Sequence, residues 1–144
     1  IVGEGEQSTY LNQLANFLGV KESVIFTGAL DQNQISDAYA ACDIFVLSSQ
    51  FESFGISLIE AQAAGKPVIG TKVGGLPEAL LDRQTGFLVD FGDIGQLEDN
   101  IIHLLSDEKI AKEIGKKGKA FVENQFSTQR SVDSIINLCE RTRY

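Results

Sequence analysis

The chain alternates short apolar runs with longer segments in which apolar residues recur every three or four positions. The runs have the length of buried strands, and the recurrence is typical of helices. Five runs qualify as strands: 1–2, 24–26, 43–48, 67–70 and 86–89. Strands that alternate with helices at this spacing indicate parallel crossovers. The pattern therefore predicts an α/β fold, a Rossmann-like open parallel sheet with helices on both faces.

Two helices are predicted before the third apolar run. The first covers residues 7–18, with Leu14 on its apolar face. The second begins near Asp31 or Asn33, since either side chain could cap it, and runs through Tyr39 to Cys42. Tyr39 is expected to pack at the edge of the core.

A central helix is predicted to follow Gly55. Ile56, Ile59 and Ala63 lie three and then four positions apart, so they share one apolar face. The helix stops at Gly65, a residue type that tolerates a left-handed backbone.

The last third of the chain is predicted to be helical. Asp93 and Gln96 resemble a capping box at the start of one helix, and an apolar stripe from Ile110 to Val122 defines a second. A third helix is predicted from four residues at helical spacing: Val132, Ile135, Ile136 and Cys139. Because no linker or break in composition interrupts the chain, residues 1–144 are predicted to form one domain.

The 144 residues carry a formal net charge of −8, from 20 acidic and 12 basic residues. This charge argues against nucleic acid as the main partner, because a phosphate backbone is bound through clustered lysine and arginine. It also argues against direct attachment of this segment to an anionic membrane. The sequence shows no signal peptide and no apolar run of transmembrane length. We expect a cytoplasmic protein, because its two cysteines are interpreted as reduced thiols.

The cysteines and the single histidine do not suggest a metal site. Cys42 and Cys139 lie far apart and lack metal-ligand spacing, so buried, reduced thiols are expected. His103 is the only histidine, which excludes a site built from several histidines.

Two carboxylates flank the start of the central helix. Glu52 lies just before this start, and Glu60 lies a little over one turn inside the helix. A helix N-terminus presents unpaired N–H groups and a positive dipole end, which favour an anion such as phosphate. Ionised carboxylates only accept hydrogen bonds and therefore suit sugar hydroxyls. Phosphate together with a polyol describes a nucleotide-sugar.

A plainer interpretation of the two glutamates is equally physical. Acidic residues are common near helix starts for dipole reasons alone, and a glutamate inside a surface helix is usually solvated. The residues by themselves favour this interpretation for Glu60 and leave Glu52 undecided.

Several loops rich in glycine or carrying carboxylates follow the predicted strands. They contain Gly3 and Gly5, Gly28, residues 48–55, and Gly74 with Gly75. In open parallel sheets, ligands bind at the carboxyl ends of the strands. We therefore expect these loops to line one rim of the sheet.

The segment around the glutamates resembles a known signature. It reads ESFGISLIEAQAAGKPVI from Glu52 to Ile69, followed by TKVGGLPE from Thr71 to Glu78. This is similar to the signature of the family 4 glycosyltransferases, retaining enzymes with two Rossmann-like domains in the GT-B architecture. Two glutamates with seven residues between them are the hallmark of that family.

The resemblance implies roles for both glutamates. In these enzymes the C-terminal Rossmann-like domain holds the nucleotide-sugar donor. Glu52 would be the catalytic residue, contacting hydroxyls of the transferred sugar and supporting positive charge on the sugar ring as the diphosphate departs. Glu60 would accept hydrogen bonds from the ribose hydroxyls.

The resemblance also implies backbone contacts to the donor. The N–H groups around Phe54, Gly55 and Ile56 would contact the diphosphate or the sugar, and a glycine there would let the main chain approach closely. The segment from Gly28 to Leu30 would border the base. Two purely structural explanations stay open: a strand-end turn at Gly28, and packing of Phe54 and Ile56 beneath the helix.

No cofactor and no metal are expected, because enzymes of this architecture generally neutralise the diphosphate with cationic side chains. The Gly-Arg pair and the lysine that do so in the family have no counterpart here and would lie upstream of Ile1. The acceptor-binding N-terminal domain of the family is expected to be missing from these residues as well. We expect the chain to be a donor-binding portion that lacks its first strand and helix, with the acceptor bound by the missing domain.

Alternatives of the same fold are a nucleotide-sugar epimerase, a sugar phosphorylase and a non-catalytic nucleotide-binding module. The resemblance is also compatible with peripheral association of the whole protein with the inner face of the membrane.

Overall fold

The computed structural model describes residues 1–127, 130, 132 and 136. The chain divides into two compact units, one over Ile1–Ala38 and one from Tyr39 onward. The first unit contains helix α1, Ser8–Phe17, a 3₁₀ turn at Lys21–Ser23 and most of helix α2, Gln32–Ala41. The prediction that residues 1–144 form one domain stays a prediction.

The first unit lacks the two strands predicted for it. Isolated bridges join Gly28 to Val2 and Gly3, and the Thr27 N–H donates to the Ile1 carbonyl at 3.0 Å. Ile25, in the middle of the second predicted strand, is 74% exposed. The prediction of buried strands here is wrong, because the two short segments pair through a few backbone bonds without an extended ladder.

Helix α2 begins with a reciprocal cap. Asp31 Oδ1 accepts from the N–H groups of Asn33 and Gln34, both at 2.9 Å, and Gln34 Oε1 accepts from the Asp31 N–H at 2.9 Å. Of the two predicted capping residues, Asp31 therefore holds the position, since it satisfies two N–H groups that the helix itself cannot pair.

The second unit is built on a parallel sheet of three strands within the described residues. The strands are β1, Phe45–Leu47, β2, Val68–Thr71, and β3, Phe87–Val89, in that spatial order. Val46 of β1 lies opposite Ile69 of β2, and Ile69 lies opposite Phe87 of β3. These strands confirm three of the five predicted runs.

In the described part of the second unit, four helices follow β1: α3, Ile56–Ala63, α4, Leu76–Ala79, α5, Ile94–Ser106, and α6, Glu108–Gln125. Asp93 caps α5, because its carboxylate accepts from the Gln96 N–H at 2.9 Å. The Gln96 side chain bonds to the Asp90 N–H instead of closing the predicted box. Of the third predicted C-terminal helix, Ile135 and Cys139 lie outside the described residues.

Helices cover both faces of the sheet. Val68 of β2 is fully buried against Leu58 of α3 and Leu80, whereas its neighbour Ile69 packs with Leu104 of α5 and Ile114 of α6. Successive strand residues point to opposite faces, so β2 contributes to a core on each side. The predicted α/β class with a parallel sheet and helices on both faces is confirmed.

The buried face of α3 differs from the prediction. Leu58, Ala61 and Gln62 are fully buried, whereas Ile56 is 66% exposed and Ala63 is exposed. Both sets are helically spaced, so the pattern alone does not distinguish them. The sheet decides, because Leu58 reaches the core formed with Val68 and the leucines that follow β2.

Two further burial predictions are wrong in the second unit. Val46 in the centre of β1 is 38% exposed, since β1 lies at an edge of the three-stranded sheet. The Cys42 thiol is free but only half-buried, and burial raises its pKa. None of the helices that the structure describes is long and apolar enough to cross a membrane.

Candidate functional site

The carboxyl ends of β1 and β2 carry two loops that lie together. The first loop, residues 48–55, contains Glu52, and the second contains Gly74 and Gly75. The Gly75 N–H donates to the Glu52 carbonyl at 3.3 Å, and Thr71 Oγ1 donates to the Ser49 carbonyl at 2.6 Å. The predicted meeting of loops is thus confirmed for these two, whereas Gly3, Gly5 and Gly28 belong to the first unit.

The second loop approaches Glu52 so closely that it requires glycine. Gly74 has φ +50°, and a Cβ built on it would overlap the Glu52 carbonyl oxygen. A side chain at Gly75 would collide with the Ser53 carbonyl oxygen. The main chain at Glu52 is therefore fixed by backbone contact with this loop.

The carboxylate of Glu52 binds main-chain N–H groups just before α3. Its Oε1 accepts from the Gly55 N–H at 3.1 Å and from the Phe54 N–H at 3.3 Å. The side chain is half-buried. A negative charge thus lies at the positive end of the helix dipole, where it is electrostatically favoured.

This contact bears on the amides that were predicted to bind the donor. The N–H groups of Phe54 and Gly55 already donate to Glu52, so a ligand that reaches them has to replace that carboxylate or share the amides with it. Their predicted contact with a diphosphate or sugar, like that of Ile56, stays a prediction.

Gly55 has a structural explanation that the sequence did not provide. Its φ is +84°, a conformation that favours glycine, and a Cβ there would collide with the Leu76 side chain. Gly55 is buried, so close approach of a ligand is not needed to account for the glycine.

Glu60 lies on the second turn of α3 and is half-buried. Its Oε2 accepts a hydrogen bond of 3.0 Å from the Tyr39 hydroxyl near the end of α2. Burial, and then the hydrogen bond to Glu60, raise the pKa of Tyr39 above its usual value of 10.0. Tyr39 therefore keeps its proton and acts as the donor in this pair.

The sequence interpretation missed the hydrogen bond that Tyr39 makes with Glu60. The ring does pack, as expected, with an edge-to-face contact to Phe45 at 5.6 Å between centroids. A tyrosine at the edge of a core usually pairs its hydroxyl, and this tendency could have indicated a polar partner.

An open depression of about 690 Å³ lies beside Glu52. Its lining residues are Gln50, Phe51, Glu52, Ser53, Val73 and Gly74. Its volume is in the range of small-molecule sites. Glu60 is not among the lining residues, so the structure does not bring the two glutamates into one depression.

Phe51 forms part of this depression and was not singled out from the sequence. Its side chain is 86% exposed, although it is fully apolar. Exposed apolar side chains in a depression can mark a binding surface, and hydrophobic spacing in the sequence does not reveal that exposure.

The remaining predicted contacts lie elsewhere. Gly28 is in the first unit, where its carbonyl accepts from the Gly3 N–H at 2.9 Å, and Leu30 follows it. Base binding by these residues stays a prediction. Lys66, a cation near the end of α3, donates to the Ala40 carbonyl at 2.7 Å.

The described residues contain no group of three or more His, Cys, Asp or Glu side chains that could hold a metal ion. Whether the protein functions without a metal stays a prediction.

Similarity to known proteins gives these observations a context. The family model "Glycosyl transferases group 1" matches residues 1–121. N-acetyl-alpha-D-glucosaminyl L-malate synthase of Bacillus anthracis is 36% identical over 132 residues, 92% of this chain and 34% of that protein. D-inositol 3-phosphate glycosyltransferase of Mycolicibacterium smegmatis is 38% identical over 130 residues, 90% of this chain and 29% of that protein. The chain thus spans about a third of these relatives.

Solved structures share the fold. Anabaena HepE in complex with UDP and glucose matches with a TM-score of 0.86 at 29% identity, over 97% of this chain and 39% of that one. The C-terminal domain of the group 1 glycosyl transferase LpcC from Francisella tularensis matches with a TM-score of 0.78 at 32% identity, over 87% and 66%. The expected fold, that of the C-terminal half of a GT-B enzyme, is confirmed. Because the family model matches 121 of the 144 residues, the chain belongs to the group 1 glycosyl transferases.

Proposed function

We propose that this chain is the donor-binding portion of a retaining, family 4 glycosyltransferase. The enzyme transfers a sugar from a nucleoside-diphosphate sugar to a sugar, lipid or glycan acceptor. The observation that carries the proposal is the position of Glu52. Its carboxylate lies at a helix start, beside an open depression, at the carboxyl end of a strand in a parallel sheet.

Glu52 is the proposed catalytic residue. Departure of the nucleoside diphosphate leaves positive charge on the sugar ring, and a carboxylate beside that ring stabilises the charge. The bonds from Phe54 and Gly55 support this role, because they hold the carboxylate in one position and so reduce the cost of orienting it during the reaction.

Glu60 is the proposed ribose-binding residue. Its carboxylate accepts hydrogen bonds from the two neighbouring hydroxyls of the nucleotide ribose. The half-buried position supports this role, since partial exclusion of water strengthens each such bond. The backbone from Gly28 to Leu30 is proposed to border the base.

UDP-glucose is the first donor to test. HepE, which shares the fold over nearly the whole chain, has been seen in complex with UDP-glucose and with UDP and glucose. We further propose that no divalent metal is required, that the acceptor binds to a separate domain, and that the enzyme works in the cytoplasm.

The test offers UDP-, GDP- and ADP-glucose to the complete two-domain enzyme with its Glu52→Gln variant as the control. Release of free nucleotide, with the anomeric configuration of the donor retained in the product, is the expected result. Inversion of that configuration contradicts the retaining mechanism. Tight nucleotide binding without turnover of any donor indicates a binding module instead.

A further inference from the structure

We infer that Tyr39 is a positioning residue for donor binding, which acts by holding the Glu60 carboxylate in the orientation that receives the ribose. This inference rests on the proposed role of Glu60. It assigns a function to a side chain that lies outside helix α3, which carries Glu60.

The geometry ties Glu60 to a different part of the second unit. The Tyr39 hydroxyl lies 3.0 Å from Glu60 Oε2, and the two residues are separated by 21 positions in the sequence. The Tyr39 ring also packs edge-on against Phe45 of β1. Because strand and ring are in contact, the edge of the sheet helps to set the position of the hydroxyl.

The bond restricts a side chain that is otherwise adaptable. A glutamate has three rotatable bonds, and ordering it upon ligand binding costs conformational entropy. Within residues 1–127, Tyr39 is the side chain that donates to Glu60, and it engages Oε2. This contact leaves Oε1 available to a ribose hydroxyl and orders the carboxylate before the donor binds.

The raised pKa of Tyr39 is consistent with its role as the donor to Glu60. Burial and the neighbouring carboxylate raise the pKa of Tyr39, so its hydroxyl remains a donor at neutral and mildly alkaline pH. A carboxylate can only accept, so the direction of the hydrogen bond is fixed.

A packing role and a positioning role make different demands on the hydroxyl. Tyr39→Phe keeps the ring and its contact with Phe45 but removes the donor. If Tyr39 only fills space, this variant behaves like the parent enzyme or loses stability without regard to the ligand. If it positions Glu60, the loss appears only with ligands that carry ribose hydroxyls.

The experiment measures nucleotide affinity in the complete enzyme by titration calorimetry. The probes are UDP, GDP and ADP, each with its 2′,3′-dideoxy counterpart, and the proteins are the parent, Tyr39→Phe, Glu60→Ala and the double variant. Tyr10→Phe, at an exposed tyrosine of the first unit, is the matched control.

We expect Tyr39→Phe to weaken binding of the ribonucleotide about three- to tenfold and to leave the affinity for the dideoxynucleotide unchanged. In turnover, KM rises and kcat is preserved.

Each outcome of these measurements is decisive. If Tyr39→Phe weakens ribonucleotide binding in the parent but causes no further loss in the Glu60→Ala background, the two residues act together and the inference holds. Unchanged ribonucleotide binding in Tyr39→Phe overturns it. Equal losses with both forms of the nucleotide, or additive losses in the double variant, overturn it while the proposed function stands. If the parent enzyme binds none of the three nucleotides, the proposed function fails and the inference fails with it.

Discussion

The two glutamates of the signature lie eight positions apart, yet the molecule holds them by different means. Main-chain groups hold Glu52, because its carboxylate is bonded to two amides and its carbonyl lies against Gly74. Among the residues that the structure describes, one side chain, that of Tyr39, holds Glu60. The first arrangement depends on backbone geometry and the second on one hydroxyl group.

Because the two glutamates are held differently, different substitutions should displace them. A carboxylate held by the main chain tolerates changes of its neighbours' side chains but not a change in the path of the backbone. A carboxylate held by another side chain is sensitive to that partner alone. Substitutions at the two sites should therefore differ in what they disturb.

Gly74→Val should have the largest effect. A Cβ at this position overlaps the Glu52 carbonyl oxygen, and φ is +50°, so both loops have to move. We expect a loss of roughly 2–4 kcal/mol in the free energy of unfolding, together with loss of turnover. Urea unfolding and donor turnover measure the two effects.

Gly95→Ala is the matched control for this change. A Cβ at Gly95 meets only the Asp93 carboxylate at 3.6 Å, an ordinary contact, and the position lies in the first turn of α5. It should leave turnover unchanged. A Gly74→Val enzyme as stable as Gly95→Ala would show that the loop does not fix Glu52.

Glu52→Gln should lower turnover with little loss of stability. The amide oxygen of glutamine can still accept from the Gly55 N–H, but the negative charge is lost. Removal of one electrostatic contact in a transition state typically costs about 10²–10³ in kcat, so we expect that range with nearly unchanged donor affinity.

Glu52→Ala separates the charge from the hydrogen bonds. It leaves the amides of Phe54 and Gly55 without their acceptor, as when a helix cap is removed, and this costs about 1 kcal/mol of stability. If the Gln and Ala variants both turn over as fast as the parent, Glu52 only orders the backbone before α3 and is not the catalytic residue.

Much of the region around Glu52 was predictable from the sequence, and its local bonding was not. Strand β1, the loop after it and a helix beginning at Ile56 all follow from hydrophobic spacing and from glycine positions. The bond from Gly55 to Glu52 depends on one side-chain conformation, which no spacing rule encodes. The sequence therefore located the carboxylate but not the groups that hold it.

The same limit explains the errors elsewhere. Ile56 and Leu58 are both apolar and both fit a helix, and it is the packing of Leu58 with Val68 and the leucines after β2 that buries it. Ile25 is strand-like in type but exposed, since burial depends on what packs against it. Contacts between distant segments, such as that of Tyr39 with Glu60, are tertiary facts that a local pattern does not contain.

Glu60→Ala should weaken donor binding by roughly 1–3 kcal/mol, the usual cost of removing a hydrogen-bonding partner. It should change kcat little, because the ribose is remote from the reacting bond. Calorimetry with the nucleotide and turnover with the nucleotide-sugar measure the two quantities. Glu78→Ala, at an exposed glutamate of α4, is the control. An unchanged Kd for the nucleotide would contradict the ribose-binding role.

The smallest effect is a pH dependence that belongs to the Glu60 side of the contrast. The pKa of Tyr39 is raised above 10.0 in the folded protein, first by burial and then by Glu60, so the unfolded chain releases this proton at lower pH than the folded one. The unfolded state then binds fewer protons, and stability falls as pH rises above about 10. The contribution is fully present below that pH.

Tyr39→Phe has no such proton, so the difference in unfolding free energy between the parent and this variant should be constant from pH 6 to about 9 and shrink above about 10. Urea unfolding of both proteins across this range tests the sign, and a difference that stays flat or grows at high pH would mean that the hydroxyl is not held by Glu60 in solution.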